Sequence, residues 1–360
     1  MPKVLKQGDV LDQCTRLLYN LVGIPSVTGD EHDICNFVQH ELNEIGMDVT
    51  LVGHNVLGKF GSGSPSLLLC GHLDTVPPYI PPAIRAGKLF GRGAADDKGG
   101  IAAVIDAISK CDKQLISGTL TAAFVVDEEV NSTGIDEIIP RLRADFGVVC
   151  EPTNLEIVNG HKGKILLQVE SIGKAAHASQ PERGRNAIVE MAHVIAKLED
   201  FKLSVHSILG KETLTVSRIK GGIADNVIPD RCVIEVEYRH VPPNDPFKII
   251  TSLRTFLPEA EISFIKDPKR FTNPFYLCQH SIIDELSAAL TDIGAKSNVT
   301  TMDACTDASR LNAAGIPSIV FGPGLIEQAH TSDEWVALRQ VKEASRIFKR
   351  LIDRILLNES

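Results

Sequence analysis

The sequence predicts an α/β protein, a mixed and largely parallel sheet flanked by helices, with a smaller α+β unit inserted in it. Three observations predict this. Helix and strand patterns alternate over the first 160 residues, which suits α/β layers around a parallel sheet. Several strands are short apolar runs bounded by polar residues, the pattern of strands buried on both faces. Near residue 163 the order changes to βαββαβ, and the α/β pattern resumes only after residue 272.

Residues 9–21 place Val10, Cys14, Leu17, Leu18 and Leu21 at helical spacing. Thr28-Gly29-Asp30-Glu31 fits a capping box opening a second helix. Its apolar stripe is Ile34, Phe37, Val38, Leu42 and Ile45, and Gly46 ends it. Residues 47–52 and 66–70 read as strands joined by a Gly/Ser-rich turn near 61–64. A helix over 98–110 carries Ile101, Val104, Ile105 and Ile108 on one side, and 119–126 and 146–150 are buried-strand runs.

The inserted unit reads as strand 164–171, helix 186–200, strand 213–220, strand 231–239, helix 245–257 and strand 261–266. That order is the signature of a ferredoxin-like unit. Cys232, Ile234, Val236 and Tyr238 alternate along one face of their strand. Pro242-Pro243 and Asp267-Pro268 punctuate the elements. Helix 281–294, strand 316–321 and a helix from about residue 340 complete the chain. The expected division is 1–162 and 273–360 for the larger domain and 163–272 for the insert.

A length of 360 residues exceeds one typical domain of about 100–200, in keeping with two. With 43% hydrophobic and 23% charged residues, a sizeable core is expected. The net charge of −9 argues against a nucleic-acid or anionic-membrane binder, which would need a basic face. No run approaches the roughly 18 apolar residues of a membrane span, and the first nine residues lack the apolar stretch of a secretory signal. Eight cysteines lie singly, with no CxxC pair, and read as reduced thiols. A cytoplasmic protein is expected.

Four polar clusters each follow a predicted strand: Gly71-His72-Leu73-Asp74-Thr75, Asp127-Glu128-Glu129, Glu151-Pro152-Thr153, and Gly322-Pro323-Gly324 with Ala329-His330-Thr331. Ligands bind along that carboxyl edge in open α/β sheets. A fifth cluster, residues 91–100, opens a helix. It is no nucleotide loop, because Asp96 stands where a glycine would and acid repels phosphate. Histidine with carboxylates and no cysteine suits zinc or a similar divalent ion. Such a set suits two ions sharing one carboxylate, roughly 3.5–4 Å apart. Asp96, Glu129 and Glu151 offset most of the charge of two Zn²⁺ and leave Glu128 over, a natural general base. Asp74, two residues after His72 on an extended segment, shares its face and is placed to accept the second imidazole N–H.

These motifs, with Gly173-Lys174-Ala175-Ala176-His177-Ala178-Ser179 and Asn226-Val227-Ile228-Pro229, occur in one order over residues 72 to 330. In that order they resemble the dinuclear-zinc deacylases and aminopeptidase-like enzymes that include acetylornithine deacetylase and succinyl-diaminopimelate desuccinylase. The resemblance implies a zinc-exopeptidase-like larger domain with two Zn²⁺ per subunit, for which Co²⁺ can substitute. It makes Asp96 the bridging ligand, with His72 and Glu151 completing one site and Glu129 and His330 the other. Glu128 would be the general base, and Asp74 would orient His72. It also implies a homodimer formed through the small domain, in which His177 reaches the partner's active site to stabilise the oxyanion. Asn226 matches a substrate-contacting asparagine, and the Asp96–Asp97 peptide bond is expected to be cis.

The implied activity is hydrolysis of a linear amide. Glu128 takes a proton from the attacking water and later delivers it to the leaving amine. The segment from Gly322 to His330 looks more like the acetylornithine deacetylase branch, so a small-molecule N-acyl amino acid such as N-acetylornithine is the expected substrate. Arg239 is a candidate clamp for its α-carboxylate. Some desuccinylases carry an arginine where Ser309 falls, although Arg310 is next in line; this favours a small acyl group. Desuccinylase, aminoacylase, dipeptidase and a non-catalytic binding protein of the same fold are the alternatives.

Overall fold

The computed structural model describes residues 11–265 and 271–357. They form two compact units. One takes 11–160, 276–301 and 306–357, and the other takes 161–265, 271–275 and 302–305.

In the first unit a mixed sheet runs in the order Asp48–Val52, Asn55–Ser62, Gly118–Val125, Ser66–His72, Phe146–Val149, Ser318–Val320 and Ile157–His161. The four strands from Gly118–Val125 to Ser318–Val320 pair in parallel, and the outer pairs are antiparallel. Ser66–His72 is buried from Leu67 onward, as a strand covered on both faces must be. Helix Lys98–Ser109 is buried over nearly its whole length, between Gln13–Gly23 and Leu338–Leu356. The last helix turns Val341, Ala344, Phe348, Leu351 and Ile355 inward at helical spacing.

Local chemistry departs from expectation at three places. The first helix begins at Gln13, because Asp12 caps it by accepting the Thr15 N–H at 3.1 Å; residues 9 and 10 lie outside the described residues. The capping box does not form. The second helix is His32–Glu44 with Glu31 at its N-cap, and Glu31 accepts the Gly29 N–H at 2.8 Å instead. Thr28 is drawn elsewhere, to Asp74. Finally, the expected turn near 61–64 ends a whole strand, Asn55–Ser62. Its apolar pattern is interrupted at Gly58, where a Cβ would come within 2.9 Å of Met47 Sδ and 3.0 Å of Leu42 Cδ1.

The second unit is an antiparallel sheet in the order Thr213–Gly221, Arg231–His240, Gly163–Ile172, Glu261–Phe264. Helices Ala187–Leu198 and Pro246–Phe256 complete a ferredoxin-like βαββαβ unit. Burial alternates along both central strands, so only one sheet face is covered. Ile165, Leu167, Val169, Ile234, Val236 and Tyr238 pack there against helix residues such as Met191, Val194, Ile250 and Leu253. Asn186 and Asp245 cap the two helices, the second with Pro246 in its first turn. Residue 266, expected to end the last strand, and the Asp267-Pro268 breaker lie outside the described residues. Residues 302–305 cluster with this unit, where Lys162 pairs with Asp303 at 2.8 Å and the Cys305 thiol donates to the Lys162 carbonyl.

Candidate metal centre

In the first unit, parallel strands carry side chains to the carboxyl edge of the sheet. Ser66–His72 ends on His72 itself. Gly118–Val125 runs into a turn at Asp127, whose φ of 59° is held by main-chain bonds from Asn131 and Ser132 to its carbonyl. That turn presents Glu128 and Glu129. Glu151 follows Phe146–Val149, and His330, itself at φ 63°, follows Ser318–Val320. Asp96 sits just before helix Lys98–Ser109, and its peptide bond to Asp97 is cis.

Asp96 lies between two imidazoles. Its Oδ1 is 2.9 Å from His72 Nε2, and its Oδ2 is 3.3 Å from His330 Nε2. Ligand atoms of His72, Asp96 and Glu151 all fall within 4.8 Å of one another, and so do those of Asp96, Glu129 and His330. Glu129 Oε1 is 3.0 Å from His330 Nε2. The two groups differ in access: His72, Asp96 and Glu151 are buried, whereas the His330 side chain is 51% exposed.

The support around His72 differs from expectation in one respect. Its Nδ1 is 2.9 Å from the main-chain carbonyl of Asp74, and the Asp74 carboxylate stands off at 3.5 Å. That carboxylate, fully buried, accepts the N–H groups of Glu128 and Glu129 at 3.0 and 3.2 Å and the Thr28 hydroxyl at 2.8 Å. Asp74 therefore holds the imidazole through its backbone and the two-glutamate turn through its side chain.

The electrostatics are those of a cation site. Burial opposes a charged His72, but the carboxylates of Asp74 and Asp96 outweigh it and lift its pKa well above the ordinary imidazole value. His330 is raised to about 10 by Asp96 and Glu129. Burial raises the Asp96 pKa, but the two imidazoles prevail and hold it well below the ordinary carboxylate range. Glu151 is pushed well above its ordinary value by burial and then by Asp96 and Glu128. Glu128 is pushed up by burial and further by Asp307 and Glu129. So many acids around two imidazoles are mutually unfavourable until positive charge joins them, and a set of nitrogen and oxygen donors fits a divalent ion. Cys70 and Cys150 lie buried nearby, outside both donor groups, and burial raises both thiols far above their ordinary value, which disfavours the thiolate.

His177, Asn226 and Arg239 belong to the second unit. The first two lie on paired loops: the Ala178 N–H donates to the Asn226 carbonyl at 2.9 Å, and His177 bridges to Val227. His177 is exposed, and its Nδ1 accepts the Ser179 N–H at 3.2 Å, which places the neutral ring's proton on Nε2. Arg239 is engaged within its own unit. Its Nε donates to Glu237 at 2.7 Å, and its Nη1 donates to the Asp303 carbonyl and the Cys305 sulfur.

Sequence reasoning passed over two buried acids of the first unit. Asp307, raised to about 7 by burial, interacts electrostatically with His72, Asp74 and Glu128. Glu334, 1% exposed, takes up main-chain N–H groups of the Asp96 loop. No local pattern marks Glu334, whose side-chain partners lie at Arg92, Gly93, Ala95 and Asp96, far earlier in the chain.

The sequence profile of peptidase family M20/M25/M40 matches residues 68–354. The chain belongs to that family. An acetylornithine deacetylase of Photorhabdus laumondii is 30% identical over 386 aligned positions, covering 96% of this chain and 97% of its own. A peptidase M20 domain-containing protein of Schizosaccharomyces pombe is also 30% identical, over 95% of this chain and 84% of its own. Among solved structures, a tripeptidase of Staphylococcus aureus superposes with a TM-score of 0.82 at 26% identity, over 95% of this chain and 98% of its own. This M20/M25/M40 member is a metal-dependent hydrolase with a mixed, centrally parallel sheet. Among the described residues, no helix is long and apolar enough to cross a membrane.

Proposed function

We propose that this enzyme is a dinuclear-zinc deacylase of N-acyl amino acids, and that it hydrolyses N-acetylornithine to ornithine and acetate. The observation that carries the reading is Asp96, with one carboxylate oxygen facing each of two imidazoles. Glu128 interacts electrostatically with His72 of one donor group and Glu129 of the other and belongs to neither. His72, Asp96 and Glu151 would hold one ion, and Asp96, Glu129 and His330 the other. When bound, zinc supplies Lewis acidity and lowers the pKa of water toward ~7; cobalt can take its place.

The chain's own residues do the rest. Asp74 fixes Glu128 by accepting its main-chain N–H, so the base has a set position. Glu128 takes the proton of the attacking water and delivers it to the amide nitrogen as the C–N bond breaks; its burial favours the protonated form between the two transfers. His177, with its proton on Nε2, donates to the developing oxyanion of the partner subunit in a homodimer. Asn226, on the loop paired with that of His177, contacts the substrate. Arg239 clamps the substrate α-carboxylate, which competes with Glu237 for the guanidinium.

A small acyl group suits this chain better than a succinyl group. Arg310, the nearest arginine to the position of a succinyl clamp, donates to both oxygens of Asp136 at 2.9 and 3.0 Å, and Ser309 is buried. The 30% identity to an acetylornithine deacetylase supports the same choice. The likeness to a tripeptidase keeps peptide hydrolysis as the second reading.

The test is amine release from N-acetylornithine, N-succinyl-diaminopimelate and simple di- and tripeptides, with zinc or cobalt present. Fastest release from N-acetylornithine is expected. Preference for a peptide or the succinyl compound would move the assignment within the family. Release from none would leave a binding protein on the same fold.

A further inference from the structure

The geometry points to Glu334 as a positioning residue for the bridging aspartate: its carboxylate sets the backbone of the loop that carries Asp96, and through it the affinity for both ions. This rests on the two-ion reading above.

The loop from Gly91 to Asp96 has no secondary structure of its own to satisfy its N–H groups, so each must find a partner. Arg92 donates to the Ile80 carbonyl and Ala94 to the Gly91 carbonyl. The other four go to one residue. Gly91 donates to the Glu334 main-chain carbonyl at 3.0 Å, Gly93 to its Oε2 at 3.1 Å, and Ala95 and Asp96 to its Oε1 at 3.0 and 3.2 Å. Arg92 Nη1 adds a charge-assisted bond to Oε2 at 2.7 Å. The turn is tight: Gly93 sits at φ +83°, where a Cβ would meet Thr75 Cγ2 at 2.8 Å and Lys98 Cδ at 2.9 Å.

Both oxygens of Glu334 accept from N–H donors, so no neutral isostere can replace it. A glutamine offers one acceptor, and in either orientation its NH2 faces two N–H groups. The placement also links the two halves of the site. Glu334 follows His330 by four residues and precedes Trp335, which pairs with Phe90 next to the loop. One short segment thus carries an imidazole and the clamp that sets the acid between both imidazoles.

The test uses the full chain, stripped of metal and titrated with zinc against a chromogenic chelator. Glu334→Gln is expected to weaken both ions together, by about ten- to a hundredfold, as loss of groups that orient metal ligands generally does. Circular dichroism confirms that the protein titrated is folded. Glu334→Asp keeps the charge, pulls it back by one methylene and should lose less. A folded Glu334→Gln that takes two zinc ions with the parent's affinity overturns the inference. So does failure of both variants to fold, which would make Glu334 a folding residue. If the parent itself does not bind two ions, the two-ion reading fails first.

Discussion

The hydroxyl of Thr28 donates to Asp74 Oδ2 across 2.8 Å, joining the start of the second helix to the support of the candidate metal centre. Hydrogen bonds to buried charges contribute about 1.5–3 kcal/mol. Thr28→Val keeps the shape and removes the donor. The denaturant midpoint of the metal-free protein should fall, by that free energy divided by the denaturant slope m, and an unchanged midpoint would show that the bond contributes nothing.

Because Asp96 belongs to both donor groups, its loss should not resemble the loss of another ligand. Asp96→Ala is expected to reduce bound zinc to well under one ion per chain. His330→Ala should keep one ion, in the buried group with His72 and Glu151. Metal analysis after equilibrium dialysis separates the two patterns.

Glu128→Gln keeps the main-chain bond to Asp74 and removes the proton acceptor. Its kcat should drop by about 10²–10⁴, the usual contribution of a positioned acid or base, with metal content unchanged. Loss of metal in this variant would make Glu128 a ligand.

Protons and metal compete for His330. Its folded pKa is about 10 against an ordinary 6.5, so the native metal-free state holds the extra proton. Its stabilising contribution is complete below pH 6.5 and is lost as the pH rises toward 10. Metal must displace that proton. Zinc affinity should therefore weaken as the pH falls from 9 to 6, with proton release visible by calorimetry in buffers of different ionisation enthalpy. Affinity independent of pH would contradict the placement of His330.

The parts of this molecule that were legible in its sequence are those with a period or a position. The inserted sheet is covered on one face, which writes the alternation of Cys232, Ile234, Val236 and Tyr238 directly into the chain. The residues grouped around Asp96 were legible because they follow strand ends. Asn55–Ser62 was not, since Gly58 stands where Leu42 and Met47 leave no room for a side chain. Thr28 read as a helix cap because local spacing carries no sign of Asp74, 46 residues away and buried. Glu334 was silent for the same reason: its partners, the Arg92 guanidinium and the main-chain N–H groups of Gly93, Ala95 and Asp96, lie far earlier in the chain.

Two cations are proposed to flank the Asp96 carboxylate, and anomalous diffraction at the zinc edge from crystals grown with zinc measures that directly. Two peaks are predicted, one among His72, Asp96 and Glu151 and one among Asp96, Glu129 and His330. A single peak, or peaks away from Asp96, would contradict it.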